Sequence, residues 1–234
     1  MNKVITPPFP PRINIEPTNH CNMKCIMCPH GLMTREKGTM DMKTFKKFID
    51  ECACYDSTIW LHLLGEPFLN PNIFEMIKYS REKHIKKIGL STNGTFLDKS
   101  ITKKILNSGL TRLECSVDAV DNQSYKEMRN RDDYDDLVNN IRYLLQLKKD
   151  LKIKNPVVSI QFVKMEKSDK FLKDSFSLWK DYLNGEDFIM TIEYSSFAGQ
   201  LKNTKNSIPT FKNKKERRKP CGWLWKGTVV LYNG

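Results

Sequence analysis

The sequence predicts an α/β fold: a (βα)6 partial barrel with parallel strands, followed by the start of a C-terminal β-hairpin extension. Short apolar, β-branched runs alternate along the chain with segments of helical apolar periodicity. Strict alternation of this kind builds a parallel sheet with right-handed crossovers. Six strand runs suffice for an open barrel and are too few for a closed eight-stranded one.

The strand candidates are Ile13–Glu16, Thr58–Leu64, Lys87–Thr92, Arg112–Val117, Val157–Val163 and Phe188–Ser195. Between them, Phe45, Phe48, Ile49 and Cys52 fall at i, i+3, i+4 and i+7, on one face of a helix. Ile73, Met76 and Ile77 mark a second helix, with Asn72 as its candidate cap. Ile101 and Ile105 mark a third, and Leu137, Ile141, Leu144 and Leu145 a fourth. Leu172, Phe176, Trp179 and Leu183 form the last stripe, with Ser168 or Asp169 as its cap. After Ser195 the pattern stops. The domain expectation is a barrel over 1–198, a basic linker over 199–220 and an incomplete extension over 221–234.

The chain has 234 residues, 39% hydrophobic and 28% charged, an ordinary globular composition. Neither a signal peptide nor an apolar run of membrane-spanning length is present, so a cytoplasmic protein is expected. Much of the +12 formal charge is local: Gln200–Pro220 holds eight basic residues against Glu216. No aromatic residues alternate with them to stack bases, so a solvated linker is favoured over a nucleic-acid surface. Seven cysteines are an odd number, in a chain too large to need a disulfide framework. Three of them lie within eight residues, which points to metal binding in a reducing compartment. Cys52, Cys54 and Cys115 read as structural, since free cysteine behaves as a small buried hydrophobe.

Ligands of parallel α/β folds sit at the carboxyl ends of the strands. There the sequence places Cys21-Asn-Met-Lys-Cys25-Ile-Met-Cys28, then Gly65-Glu66-Pro67, then Ser91-Thr92-Asn93-Gly94, then Ser116-Val117-Asp118. Glu114, Ser116 and Asp118 share a strand face, opposite Leu113, Cys115 and Val117, so the polar set should line the barrel interior. Met165 and Glu166 end the fifth strand, within reach of a ligand. Three cysteines spaced C-x3-C-x2-C can wrap three corners of a cuboidal [4Fe–4S] cluster and leave one iron open. The alternative is a zinc site with His20 or His30 as fourth ligand, although no second ligand pair lies at the usual spacing. The same two histidines could instead donate to cluster sulfurs.

On these residues the chain resembles the radical S-adenosylmethionine (SAM) superfamily, over roughly residues 12–196. The resemblance implies that Cys21, Cys25 and Cys28 hold the cluster and that its open iron chelates SAM. Reductive cleavage then yields a 5′-deoxyadenosyl radical that abstracts a substrate hydrogen. It further implies that Glu66 and the Gly65 backbone hold the cofactor's amino group. Ser116 and Asp118 would approach the ribose, Arg129 would pair with the carboxylate, and Met27 would lie beside the adenine. Ser91 and Asn93 complete the expected set. A reductant such as flavodoxin or ferredoxin is the implied partner.

The tail, Cys221-Gly-Trp223-Leu-Trp225 and a strand running to a turn at Asn233-Gly234, resembles the opening of the SPASM extension. The chain stops inside that element, as a fragment of a longer protein would, and a loosely held tail without an auxiliary cluster is expected. SPASM relatives imply a peptide, protein or carbohydrate-type substrate for an oxidoreductase or maturase. Two other readings stay open: an iron–sulfur electron-transfer module that needs no SAM, and a zinc-stabilised nucleic-acid-binding protein.

Overall fold

The computed structural model describes residues 7–164, 172–195, 197, 201 and 222–234, with the side chains of Leu172 and Lys173 outside the description. The expectations for Met165, Glu166, Ser168, Asp169, Cys221 and nearly all of the basic linker lie outside those residues.

The strands β1 (Arg12–Ile15), β2 (Thr58–Leu61), β3 (Lys87–Thr92), β4 (Arg112–Ser116), β5 (Val157–Lys164) and β6 (Phe188–Glu193) form one curved array. A seventh strand, β7 (Gly227–Val230), joins the sheet at its other edge, giving the order β6-β5-β4-β3-β2-β1-β7. Every neighbouring pair is parallel. Helices fill the crossovers: α1 (Met42–Cys52), α2 (Ile73–Glu82), α3 (Lys99–Asn107), α4 (Asn122–Arg129), α5 (Tyr134–Asp150) and α6 (Leu172–Trp179). Asp41, Asp98 and Asp121 cap α1, α3 and α4 by accepting backbone N–H bonds, each worth about 1 kcal/mol. Asn72 occupies the cap position of α2 without a side-chain bond; its own N–H donates to Asn70 Oδ1 at 2.8 Å.

Strand alternation sorts the barrel into two faces. Ile13, Ile15, Ile59, Leu61, Ile88, Leu90, Leu113, Cys115, Val158, Ile160 and Phe162 point outward and are buried under the helices. There they meet Phe45, Ile49, Met76, Ile77, Ile105, Ile141, Leu144 and Trp179. Burying side chains of this kind stabilises by roughly 1.5–3 kcal/mol each. The inward positions are mostly polar, and this asymmetry leaves a cavity instead of a packed barrel centre.

Three expectations change. Phe176 is 58% exposed, and it is Ser175 and Trp179 of α6 that are buried, so the helix presents a rotated face. Cys54 is exposed, while Cys52 and Cys115 are buried. The tail is also held more firmly than expected. β7 pairs with β1 from Arg12↔Gly227 to Ile15↔Val230, and Glu16 N–H donates to the Val230 carbonyl at 2.9 Å. The turn that follows sets the Tyr232 ring against Gly38, where an added Cβ would lie 2.1 Å from it.

Candidate cofactor and active site

The loop after β1 is closed on itself before it presents its cysteines. Thr18 Oγ1 donates to the Gly38 carbonyl, and Asn19 bonds Glu36 O and Gly38 N through its side chain. Buried Glu16 accepts both arms of the Arg35 guanidinium at 2.9 Å. His30 Nε2 lies 2.8 Å from the Asn19 carbonyl, so this histidine braces the loop; His20 is exposed.

The second strand's loop docks on this one. A Cβ at Gly65 would lie 2.0 Å from the Thr18 carbonyl oxygen, so only glycine allows the approach. Glu66 N–H then donates to the His20 carbonyl at 2.8 Å. The Glu66 carboxylate is buried and accepts from Thr92 Oγ1 and Asn93 N at 2.8 Å and from Phe68 N at 3.3 Å. Burial raises its pKa to about 7, against the pull of those three donors. Asn93 Nδ2 donates to Asn22 Oδ1 at 2.7 Å, which ties the end of β3 to the stretch between the first two cysteines.

The fourth strand's end supplies a buried charge pair. Asp118 adopts φ 57°, in the left-handed region, and its carboxylate accepts from Val163 N and pairs with the Arg129 guanidinium. Arg129 Nη1 also donates to Cys25 Sγ at 3.3 Å. Burial works against the arginine's charge, but Asp118 and Cys25 outweigh it and its pKa is raised. Arg129 reaches this point because α4 abuts the cysteine loop, with Ile26 N–H donating to the Met128 carbonyl at 3.1 Å.

All eleven candidate residues meet on one cavity of ≈ 560 Å³: the three cysteines with Met27, Gly65, Glu66, Ser91, Asn93, Ser116, Asp118 and Arg129. Met27 packs with Met128, Val163 and Tyr194. Ser91 Oγ donates to Glu114 Oε2 at 2.7 Å. The sequence reading missed Arg12, His62 and Gln161 on the cavity's floor and Met190, Ile192 and Tyr194 on its far wall. Their signal was the same alternation that picked out Glu114 and Ser116, not applied to the other strands. Burial, with Arg12 beside it, lowers the His62 pKa to about 4, so the ring is neutral near pH 7.

The donor set fits a cluster. The three cysteines are free of disulfides and line the cavity. Burial pushes the Cys21 thiol up to about 11 and raises that of Cys28, so they stay protonated until a metal displaces the proton. Among the described residues, no three His, Cys, Asp or Glu side chains form a single-ion site. A cuboidal cluster does not need one, because each thiolate takes its own iron.

The family model described as the radical SAM superfamily matches residues 15–163. The chain belongs to that superfamily. Its members use a [4Fe–4S] cluster and S-adenosylmethionine, and they require a reductant and a substrate. The AdoMet-dependent heme synthase of Methanosarcina barkeri is 32% identical over 49% of this chain and 33% of its own length. A probable GTP 3′,8-cyclase of Methanocaldococcus jannaschii is 25% identical over 86% of the chain and 64% of its own. The chain thus spans only part of the length of these relatives. Among solved structures, Streptococcus suis SuiB bound to its precursor peptide SuiA superposes with a TM-score of 0.70 at 19% identity. That match covers 84% of this chain and 42% of SuiB. The likeness establishes the partial-barrel fold. Among the described residues, no helix is long and apolar enough to cross a membrane.

Proposed function

We propose that residues 1–198 form the radical-generating domain of an oxidoreductase or maturase-type enzyme acting on a peptide, protein or carbohydrate-type substrate. The observation that carries this reading is the convergence of all eleven candidate residues on one cavity. Cys21, Cys25 and Cys28 would hold the cluster. Gly65 and Glu66 would receive the cofactor's amino group, since the buried carboxylate forms no ion pair among the described residues and can accept an amino N–H. Arg129 would meet the carboxylate with its fork. Ser116 and Asp118 would lie toward the ribose, Met27 toward the adenine, and Ser91 and Asn93 would complete the cofactor-binding set from the end of the third strand. When bound, cluster and cofactor together supply a 5′-deoxyadenosyl radical that abstracts hydrogen from the substrate.

The far wall supports the substrate assignment. Met190, Ile192 and Tyr194 leave an apolar, half-open side on which a side chain or sugar face can rest. SuiB's precursor peptide favours the peptide class among the substrates. Residues 199–220 would be a basic linker and 221–234 the start of a SPASM-type extension. The reductant would be a flavodoxin or ferredoxin, and the compartment the cytoplasm.

Anaerobic reconstitution tests the reading. The protein should take up about four irons per chain, and strong reductant should convert SAM to 5′-deoxyadenosine and methionine. Cys25→Ala should lose the brown absorbance, whereas Glu66→Ala should keep the cluster and weaken SAM binding. Zinc in place of iron would overturn the proposal.

A further inference from the structure

At the end of the barrel opposite the cysteines, three strands open on basic residues: Arg12 begins β1, Lys87 begins β3 and Arg112 begins β4. All three occupy inward positions, and with Thr58, Trp60 and Thr111 they line a mouth of ≈ 380 Å³. Arg12, Thr58 and Lys87 lie level in the sheet register, and Arg112 pairs with Gly89, two residues further along β3.

Among the described residues, none of the three cations forms an ion pair. Arg12 Nε reaches only Asn14 Oδ1, at 3.4 Å. Its guanidinium lies 4.8 Å from the Trp60 ring and 5.5 Å from that of Trp223, and the Arg112 guanidinium lies 5.2 Å from Phe188. Burial and the like charge of Arg112 depress the Arg12 pKa, opposed only in part by Glu114. The charges cannot be relieved by sinking deeper into the barrel. Trp60 is 4% exposed and lies flat on Gly89, where a Cβ would meet its ring at 2.6 Å, so the indole floors the mouth. Converging, unpaired cations in a floored concavity are an electrostatic arrangement that an anion completes.

We propose that this mouth is a second binding site, distinct from the cofactor cavity, and that it takes the phosphate group of a small molecule. Two guanidinium forks and an ammonium suit a tetrahedral oxyanion, which accepts hydrogen bonds on every face. The Thr58 hydroxyl adds a neutral donor at the rim. Because Arg12 lines both cavities, an anion in the mouth would also draw charge away from the cofactor cavity's floor.

Calorimetric titration of the full chain, in chloride buffer, tests the site with inorganic phosphate, pyrophosphate and glucose 6-phosphate. Saturable binding of at least one is expected. Preference for the sugar phosphate identifies a phosphorylated metabolite as the ligand, and equal binding of inorganic phosphate identifies the free anion. The Lys87→Gln/Arg112→Gln double variant alters two exposed side chains and should weaken binding by about tenfold or more. The Lys47→Gln/Lys103→Gln variant removes the same charge from exposed helix positions and should bind as the parent does. Equal loss in both variants would mean general charge attraction and overturn the proposal, as would the absence of saturable binding. Lys87 and Arg112 line the mouth and not the cofactor cavity, so the outcome of this test is read separately from the cluster and SAM tests.

Discussion

On the cysteine side of the cavity nearly every polar side chain has a partner, while the facing wall of β5 and β6 is apolar and half open. Glu66 accepts three hydrogen bonds, Asn93 reaches Asn22, and Arg129 spans Asp118 and Cys25. Across from them, no residue of β6 is fully buried, and Val163, Met190 and Ile192 present apolar side chains, with Gln161 and Glu193 beside them. The contrast separates two tasks. A fixed cofactor needs groups already held in position, because reorganisation at the moment of reaction costs rate. A substrate wall needs surface to be covered later, by the substrate or by more protein.

The largest test of this contrast is the buried charge pair. Arg129→Ala leaves the Asp118 carboxylate buried without its cation and should cost about 3–5 kcal/mol. Met190→Ala, on the half-open wall, should cost about 1 kcal/mol. Urea unfolding of the two variants measures both. Similar losses would mean that the two sides are equally built, and the contrast would fail.

Two glycines sharpen it within the cofactor side. Gly65→Ala drives a Cβ into the Thr18 and His20 carbonyls, at 2.0 and 2.8 Å, and should cost roughly 1–3 kcal/mol. It should also speed iron loss to a chelator, because the cysteine loop is what must move. Gly31→Ala, with nothing within 4 Å, should change stability by about 0.5 kcal/mol or less. Iron retained equally in both variants would show that the close approach at Gly65 is not what holds the loop.

The strands were legible because apolar alternation is a local signal: β3 came out as Lys87–Thr92 and the others within a few residues. The cysteine, glycine–glutamate and serine–aspartate segments were legible because parallel sheets gather ligands at one edge. Helix α4 was not. Only Tyr125 and Met128 carry its apolar spacing, and its stability rests on a capping box at Asp121 and Ser124 and on contact with the cysteine loop. The inward Arg12, His62 and Gln161 share the alternation of Glu114 and Ser116, but each stands as a single polar residue with no recognisable motif around it. The partner of β7 was equally hidden. Pairing Val230 with Ile15 joins residues far apart in sequence, and no local pattern encodes that choice.

A third test uses the proton on Glu66. Its pKa rises from 4.5 to about 7 because burial disfavours the charged form. The stability this neutral acid lends is therefore full below pH 4.5 and is lost as pH rises toward 7. An N–H donor on the amino group beside it favours the carboxylate form, so SAM binding near pH 6 should release a proton from Glu66 in addition to the one the amino group loses on chelation. The calorimetric binding enthalpy should then vary more steeply with the buffer's ionisation heat at pH 6 than at pH 8.5, and Glu66→Ala should reduce the slope at pH 6. Proton uptake in place of release would move the amino group away from Glu66.

The smallest expected effect lies on the open wall. Tyr194 lines the cavity beside Met27, yet its buried hydroxyl has no hydrogen-bond partner among the described residues. On the cofactor side, deleting a hydroxyl such as that of Thr92 would strip a bond from Glu66. Tyr194→Phe deletes a hydroxyl that bonds nothing, so it removes an uncompensated polar atom and should leave stability unchanged or raise it by up to about 1 kcal/mol. SAM affinity and the yield of 5′-deoxyadenosine without substrate should also stay at the parent's level. Thermal unfolding and equilibrium SAM binding measure these. A loss of more than about 1 kcal/mol, or weakened SAM binding, would mean that Tyr194 belongs to the pre-set cofactor side.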